Sequence, residues 1–192
     1  MNIVVVSHMF PTPDNPVDGI FVLQQARALC ERGHDVEVVS PTPYIPGFLS
    51  RILNRPSSTG LPMSDTYGDI TVHYPRYWSL PRPETLPLVA YSFRWTLGQH
   101  SHLFDSAELI NAHVALPDGF GCIPLARSLG IPLVTTVHGT DLQHTVHRAI
   151  PKRQIHMVFE ASDQIILNSE KLRRVYSRHF DDIEKVDVVF NG

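Results

Sequence analysis

Cysteine, charge and long apolar runs are all scarce in this sequence, and each scarcity removes a class of function. Cys30 and Cys122 are the only cysteines in 192 residues. Both fall in apolar helical patterns, so two buried thiols in a reducing compartment are expected, with neither a disulfide framework nor a cysteine metal cluster. Charged residues make up 18% of the chain, with a net charge of −3 and a pI near 6.4. That balance argues against a nucleic-acid partner, which needs a basic field. No apolar stretch reaches the ~20 residues of a membrane-spanning helix. Met1 runs directly into Asn2-Ile-Val-Val-Val6 without a basic region, so no signal peptide is expected and a cytoplasmic location is. G-x-G-x-x-G, the Walker pattern and H-E-x-x-H are also missing, which leaves a dinucleotide site, a P-loop and a zinc-protease helix unsupported.

What is present is enough apolar material, 43% of the residues, to bury a sizeable core in one domain. Short apolar runs alternate with helical patterns along the whole chain. Strands are predicted at 3–6, 35–39, 69–74, 108–112, 131–137, 164–167 and 186–190, with helices opening near Gly19, Leu88, Gly119, Pro151 and Glu170. This alternation predicts an α/β fold: a Rossmann-like, doubly wound, mainly parallel sheet of about seven strands with helices on both faces. The helix after Gly19 carries Val22, Leu23, Ala26, Leu29 and Cys30 on one face and ends at Gly33, while the aromatics of the 88–103 helix are assigned to the core. Pro124 kinks the fourth-strand crossover helix or marks its start, and Pro151 suits a first helical position.

The organising stretch is Ile131-Pro-Leu-Val-Thr-Thr-Val-His-Gly-Thr-Asp141. It reads as a buried, β-branched strand that ends abruptly in polar residues, and strand ends of this kind form the binding crevice of an open α/β sheet. His138 offers an imidazole, Gly139 allows close approach of a ligand to the backbone, and Asp141 can orient a donor group. An ordinary turn with Asp141 as a helix cap would explain Gly139 and Asp141 but not His138. Gly19 opens a helix at the end of the first strand loop, where free backbone amides can meet an anionic or hydroxyl-rich ligand.

Two further features have bland and functional readings side by side. Residues 41–68 contain Pro41, Pro43, Pro46, Pro56 and Pro62, and Phe48, Leu49, Ile52 and Leu53 beside Arg51 and Arg55 either pack on the domain or touch a lipid surface. Lys171, Arg173, Arg174 and Arg178 form either a solvated helix face or a site of attraction for anionic lipid. His144-x-x-His147 invites a zinc reading, but two histidines three apart are also ordinary helix neighbours.

In order along the chain, Val5-Val-Ser-His-Met-Phe-Pro11, Asp18-Gly19, Arg32-Gly-His-Asp-Val-Glu-Val-Val39, His113 with Pro117-Asp-Gly119, Gly130-Ile-Pro132, Thr136-Val-His-Gly-Thr-Asp141 and Val189-Phe-Asn-Gly192 resemble the amino-terminal half of GT-B glycosyltransferases of family 4, or group 1. The resemblance implies that residues 1–192 are the acceptor-binding domain, one half of a GT-B architecture whose other half, the donor-binding domain, lies outside this sequence. It implies transfer of a sugar from a nucleotide-sugar donor, such as a UDP- or GDP-sugar, to a hydroxyl of a glycan or lipid-linked acceptor. Anomeric configuration is retained, with no cofactor and no metal. By position, His138 and Asp141 would be catalytic, with Asp141 supporting His138 or the sugar hydroxyls. Gly19, Gly139, Asn191 and Gly192 would lie on the donor side, and His113, Asp118 and Phe10 on the acceptor side. Asp18 stands where many members have glycine, and is assigned to capping the helix.

The resemblance also implies polysaccharide biosynthesis in the cytoplasm, peripheral contact with the inner face of the membrane, the chain's own carboxy-terminal domain as a partner, and no nucleic acid. The chain alone is expected to be inactive. A non-catalytic sugar or nucleotide-sugar binding module and half of a GT-B-like sugar-nucleotide epimerase are the alternatives.

Overall fold

The computed structural model describes residues 1–12, 15–45, 62–79 and 83–190. Its elements in chain order are β1 (Asn2–Val6), α1 (Ile20–Glu31), β2 (Asp35–Val39), β3 (Thr42–Tyr44), β4 (Ser64–Tyr67), β5 (Ile70–His73), β6 (Arg76–Trp78), α2 (Leu86–Gln99), β7 (Leu109–His113), α3 (Phe120–Leu129), β8 (Leu133–Val137), α4 (Thr140–Gln143), α5 (Ala149–Ala161), β9 (Gln164–Leu167), α6 (Glu170–Tyr176) and β10 (Val186–Val188).

Eight strands form one sheet in the order β10-β9-β8-β7-β1-β2-β5-β4. All seven strands predicted from sequence are there, and all pair in parallel. The alternation within β1 explains the layering. Val4 and Val6 join the larger apolar cluster with Phe93, Phe120, Val158 and Phe159, whereas Ile3 and Val5 join a smaller one with Val22, Leu23 and Ala26 of α1. Successive side chains of a strand point to opposite faces, so an unbroken apolar run is what a strand covered on both faces requires.

The prediction stops short in the middle of the chain. β4 pairs antiparallel on β5 as the sheet edge, and β3 pairs with β6 in a separate two-stranded parallel ladder. Ser64-Asp-Thr-Tyr67 and Thr42-Pro-Tyr44 lack an apolar alternation, as suits short strands at an edge. The segment with Phe48, Leu49, Arg51, Ile52, Leu53 and Arg55 lies outside the described residues.

The helix signals at Asp18, Pro151 and the α2 aromatics need correction. α1 is opened by Gly19 without any side-chain cap, so Asp18, which is exposed, does not cap it. Pro124 sits inside α3, and Pro151 is the third residue of α5 instead of the first. α2 buries Ala90, Phe93 and Leu97 but turns Leu88, Tyr91 and Trp95 outward, so only part of its aromatic content is core. α6 ends at Tyr176, opened by the Ser169 hydroxyl accepting the Leu172 N–H at 3.3 Å. Cys30 and Cys122 are both free thiols, half-buried and buried respectively.

From β1 the chain steps through β2 to β5 in one direction, then crosses to β7 and proceeds through β8, β9 and β10 in the other. The reversal falls between β1 and β7. In a doubly wound sheet, the crevice outside the carboxyl ends of the strands at such a point is the default ligand site.

Candidate functional site

Three adjacent strands run into histidines at this crevice. Val6 of β1 is followed by Ser7 and His8, β7 ends on His113, and Val137 of β8 is followed by His138. Strand geometry alone therefore gathers them at one edge.

His113 is fully buried, and its Nδ1 lies 2.9 Å from Nε2 of the partly exposed His138. The two rings are nearly parallel, 12° apart, with centroids at 5.2 Å. Phe21, in the first turn of α1, lies against His138 with ring centroids 4.3 Å apart. Burial disfavours the charged imidazole. It lowers the pKa of His113 to about 3, with His138 adding to the effect, and that of His138 to about 4. Both rings are neutral at pH 7. The strand stops at His138 because Gly139 turns the chain at φ 128 into α4, a conformation that a side chain would strain. Asn168 Nδ2 donates to the His138 carbonyl at 3.4 Å.

Asp141 enters from the first turn of α4, with 2% of its surface exposed. Its carboxylate accepts the Ala115 N–H at 2.8 Å and the Leu116 N–H at 3.4 Å. Burial outweighs these donors and raises its pKa to about 6. The turn it holds begins at Val114, whose φ of 69° is rare for a β-branched residue and is tolerated where surrounding bonds fix it. Asp141 is thus spent on the backbone after His113, and no hydrogen bond joins it to His138 among the described residues.

That turn delivers Asp118, which is fully buried, to His8. The His8 backbone N–H lies 3.2 and 3.3 Å from the two carboxylate oxygens, and His8 Nδ1 lies 3.0 and 3.1 Å from them. Burial pushes the His8 pKa down, but the neighbouring carboxylate prevails and the net shift is upward. The His8 side chain is 29% exposed, and its Nε2 makes no hydrogen bond to a described residue.

Gly19 is buried at φ 62, and a Cβ there would sit 2.3 Å from the Met9 carbonyl oxygen. The absence of a side chain lets α1 start directly against the loop after β1. Phe10 is a correction: at 2% exposure its ring belongs to the core, edge-on to Tyr67, and presents no surface to an acceptor. His113 and Asp118 lie beneath the crevice surface, reaching it through His138 and His8. Asn191 and Gly192 lie outside the described residues. His147 stands against His179, with rings 5.6 Å apart, and the described residues hold no cluster of three metal-binding side chains. Lys171, Arg173, Arg174 and Arg178 are exposed. No helix among the described residues is long and apolar enough to cross a membrane.

Sequence reasoning missed His8 and Phe21 as site residues. The signal for His8 was available: an apolar run ending in histidine occurs at β1 as it does at β7 and β8. Phe21 carried none, because a helical phenylalanine beside Val22 and Leu23 reads as core.

The family description Glycosyltransferase Family 4 matches residues 19–192. A Bacillus subtilis protein described as a teichuronic acid biosynthesis glycosyltransferase, TuaC, is 27% identical over 153 residues, covering 77% of this chain and 38% of that protein. Arabidopsis thaliana UGT89C1 complexed with UDP is similar at a TM-score of 0.61 and 10% identity, over 98% of this chain and 51% of its own. Anabaena HepE in complex with UDP gives 0.57 and 15%, over 100% and 44%. A UDP-GlcNAc 2-epimerase from Methanocaldococcus jannaschii gives 0.55 and 13%, over 100% and 46%. At such identities the structural likeness establishes the fold alone, a Rossmann-like half of the GT-B architecture. The chain spans 38% of the curated relative and about half of these solved chains.

Proposed function

We propose, for a chain that belongs to glycosyltransferase family 4, that it is the acceptor-side domain of a retaining enzyme moving a sugar from a nucleotide-sugar donor to a hydroxyl of a glycan or lipid-linked acceptor. A separate domain supplies most of the donor contacts, so the 192-residue chain by itself turns over no nucleotide sugar. The acceptor belongs to polysaccharide or glycolipid synthesis at the inner face of a membrane, a reading supported by the relative's description as a teichuronic acid biosynthesis glycosyltransferase.

The observation that carries this reading is the placement of a neutral imidazole, His138, at the tip of β8 beside the topological switch. Front-face transfer asks the protein to position two substrates and to stabilise developing charge, with no protein nucleophile. A neutral, fixed imidazole serves as a hydrogen-bond partner for the transferred sugar without adding a positive charge beside an oxocarbenium-like centre. Gly19 and Gly139, which open α1 and α4, are assigned to the donor side, and Asn191 and Gly192 are assigned there with them. On the acceptor side, His8, held by Asp118, presents Nε2 to the incoming hydroxyl. Asp141 acts as a positioning residue by fixing the turn that carries Asp118.

The test is product analysis with the intact gene product and a panel of UDP-glucose, UDP-N-acetylglucosamine and GDP-mannose, with and without glycan and lipid-linked extracts. Acceptor-dependent release of nucleoside diphosphate supports the proposal. Interconversion of the nucleotide sugar without an acceptor would establish an epimerase instead.

A further inference from the structure

The two nitrogens that join His113 to His138 are 2.9 Å apart, so one proton lies between them. Which ring owns that proton decides what His138 can offer a ligand, because the two nitrogens of a neutral imidazole have opposite roles. The far side of His113 settles the question. Its Nε2 is buried and has no hydrogen-bond partner among the described residues. Were His113 the acceptor, its proton would sit on that Nε2 as an orphaned N–H in the core. Buried N–H groups without partners are rarer than unsatisfied acceptors. The proton therefore belongs on His113 Nδ1, which donates to His138 Nε2.

We propose that His113 is a positioning residue that locks His138 in its Nδ1–H tautomer, so that the crevice receives a hydrogen-bond donor and not a base. The lone pair of His138 Nε2 is consumed by His113. The Nδ1–H has no partner among the described residues and belongs to a partly exposed ring. Phe21 covers one face of that ring. Flipping the imidazole by half a turn would place a carbon against His113 Nδ1 and break the bond. The ligand atom this site takes is an oxygen acceptor: a sugar hydroxyl, or a ring or carbonyl oxygen. An ammonium or a hydroxyl proton to be abstracted does not fit.

The inference deepens the reading of His138 as the contact to the transferred sugar and rests on it for its catalytic meaning. The tautomer itself stands or falls alone. Long-range proton–nitrogen correlation spectra of the 15N-histidine-labelled 192-residue chain at pH 7 decide it. The expected result is that Nε2 is the unprotonated nitrogen in both His138 and His113. A protonated Nε2 on His138 would overturn the proposal.

Two variants separate the lock from mere packing. His113→Asn places an amide N–H where Nδ1 stood and keeps the His138 tautomer. His113→Phe keeps a flat ring but removes the donor, and shifts His138 toward a tautomer mixture. If His113→Phe retains the pure Nδ1–H form, the lock is not His113. Should that variant fail to fold, the wild-type spectrum and the Asn variant still decide. In the intact protein, His113→Phe is expected to lower kcat at least tenfold with little change in donor KM, and His113→Asn to restore most of it. If no transfer occurs in any form while the spectra show the lock, the glycosyltransfer reading fails and the tautomer assignment survives.

Discussion

His8 and Asp118, 110 positions apart in the chain, are joined twice: the backbone N–H and Nδ1 of the histidine both reach the carboxylate, all four distances lying between 3.0 and 3.3 Å. The pair ties the end of β1 to the turn after β7 across the switch point. Because the Asp118 carboxylate is the main group raising the His8 pKa against burial, Asp118→Asn should lower it. The raised value contributes stability that is fully present below the unfolded pKa of 6.5 and lost as pH rises through the folded value. Titration of the His8 ring by NMR in both proteins checks this, and an unchanged midpoint would show that Asp118 does not govern it.

Gly19→Ala should destabilise the fold by about 2 kcal/mol or more, since the new Cβ would combine a left-handed backbone with overlap on the Met9 carbonyl. Urea unfolding measures the effect. A change within about 0.5 kcal/mol, typical of an unconstrained surface site, would mean that the loop after β1 yields freely.

Asp141 carries its weight through the backbone it holds. Asp141→Asn keeps an acceptor for the Ala115 N–H and should cost about 1 kcal/mol, whereas Asp141→Ala strands two buried donors and should cost about 3 kcal/mol. Equal destabilisation by the two variants would contradict this assignment.

The buried histidine pair makes the fold acid-sensitive. His113 and His138 have folded pKa values of about 3 and about 4, below the unfolded 6.5, so the unfolded chain binds the extra protons as pH falls below 6.5. Asp141 opposes them, its raised value of about 6 favouring the fold as pH falls from 6 toward 3.8. The clean observable is a difference between proteins. His113→Phe should reduce the pH dependence of unfolding free energy between pH 6 and 4 by about 1.4 kcal/mol per unit, one proton's worth. Parallel curves for wild type and variant would exclude a depressed His113.

Much of the fold is legible because burial on two faces writes itself into sequence. Ile3-Val-Val-Val6, Leu133-Val-Thr-Thr-Val137 and the other apolar runs have only one environment that suits them. β3, β4 and β6 leave no such mark, since Thr42-Pro-Tyr44 and Ser64-Asp-Thr-Tyr67 are half-solvated strands whose pairing is decided by tertiary contacts. At the site, His138 and Gly139 were visible as the polar end of a strand. The partners were not. Nothing local says that Asp141 reaches back to Ala115 and Leu116, that Asp118 turns to His8, or that Phe10 faces the core while Phe21 faces the crevice. Those choices depend on how strands far apart in sequence align, which periodicity does not encode.

The most direct measurement of the central claim compares intact wild-type protein and its His138→Ala variant for sugar transfer from the nucleotide-sugar panel to glycan and lipid-linked acceptors, with the anomeric configuration of the product read by NMR. The account predicts acceptor-dependent transfer with retained configuration and a fall of about 10²-fold or more in the variant, the scale of losing a positioned transition-state contact. Transfer undiminished in His138→Ala, or conversion of the nucleotide sugar without any acceptor, would contradict it.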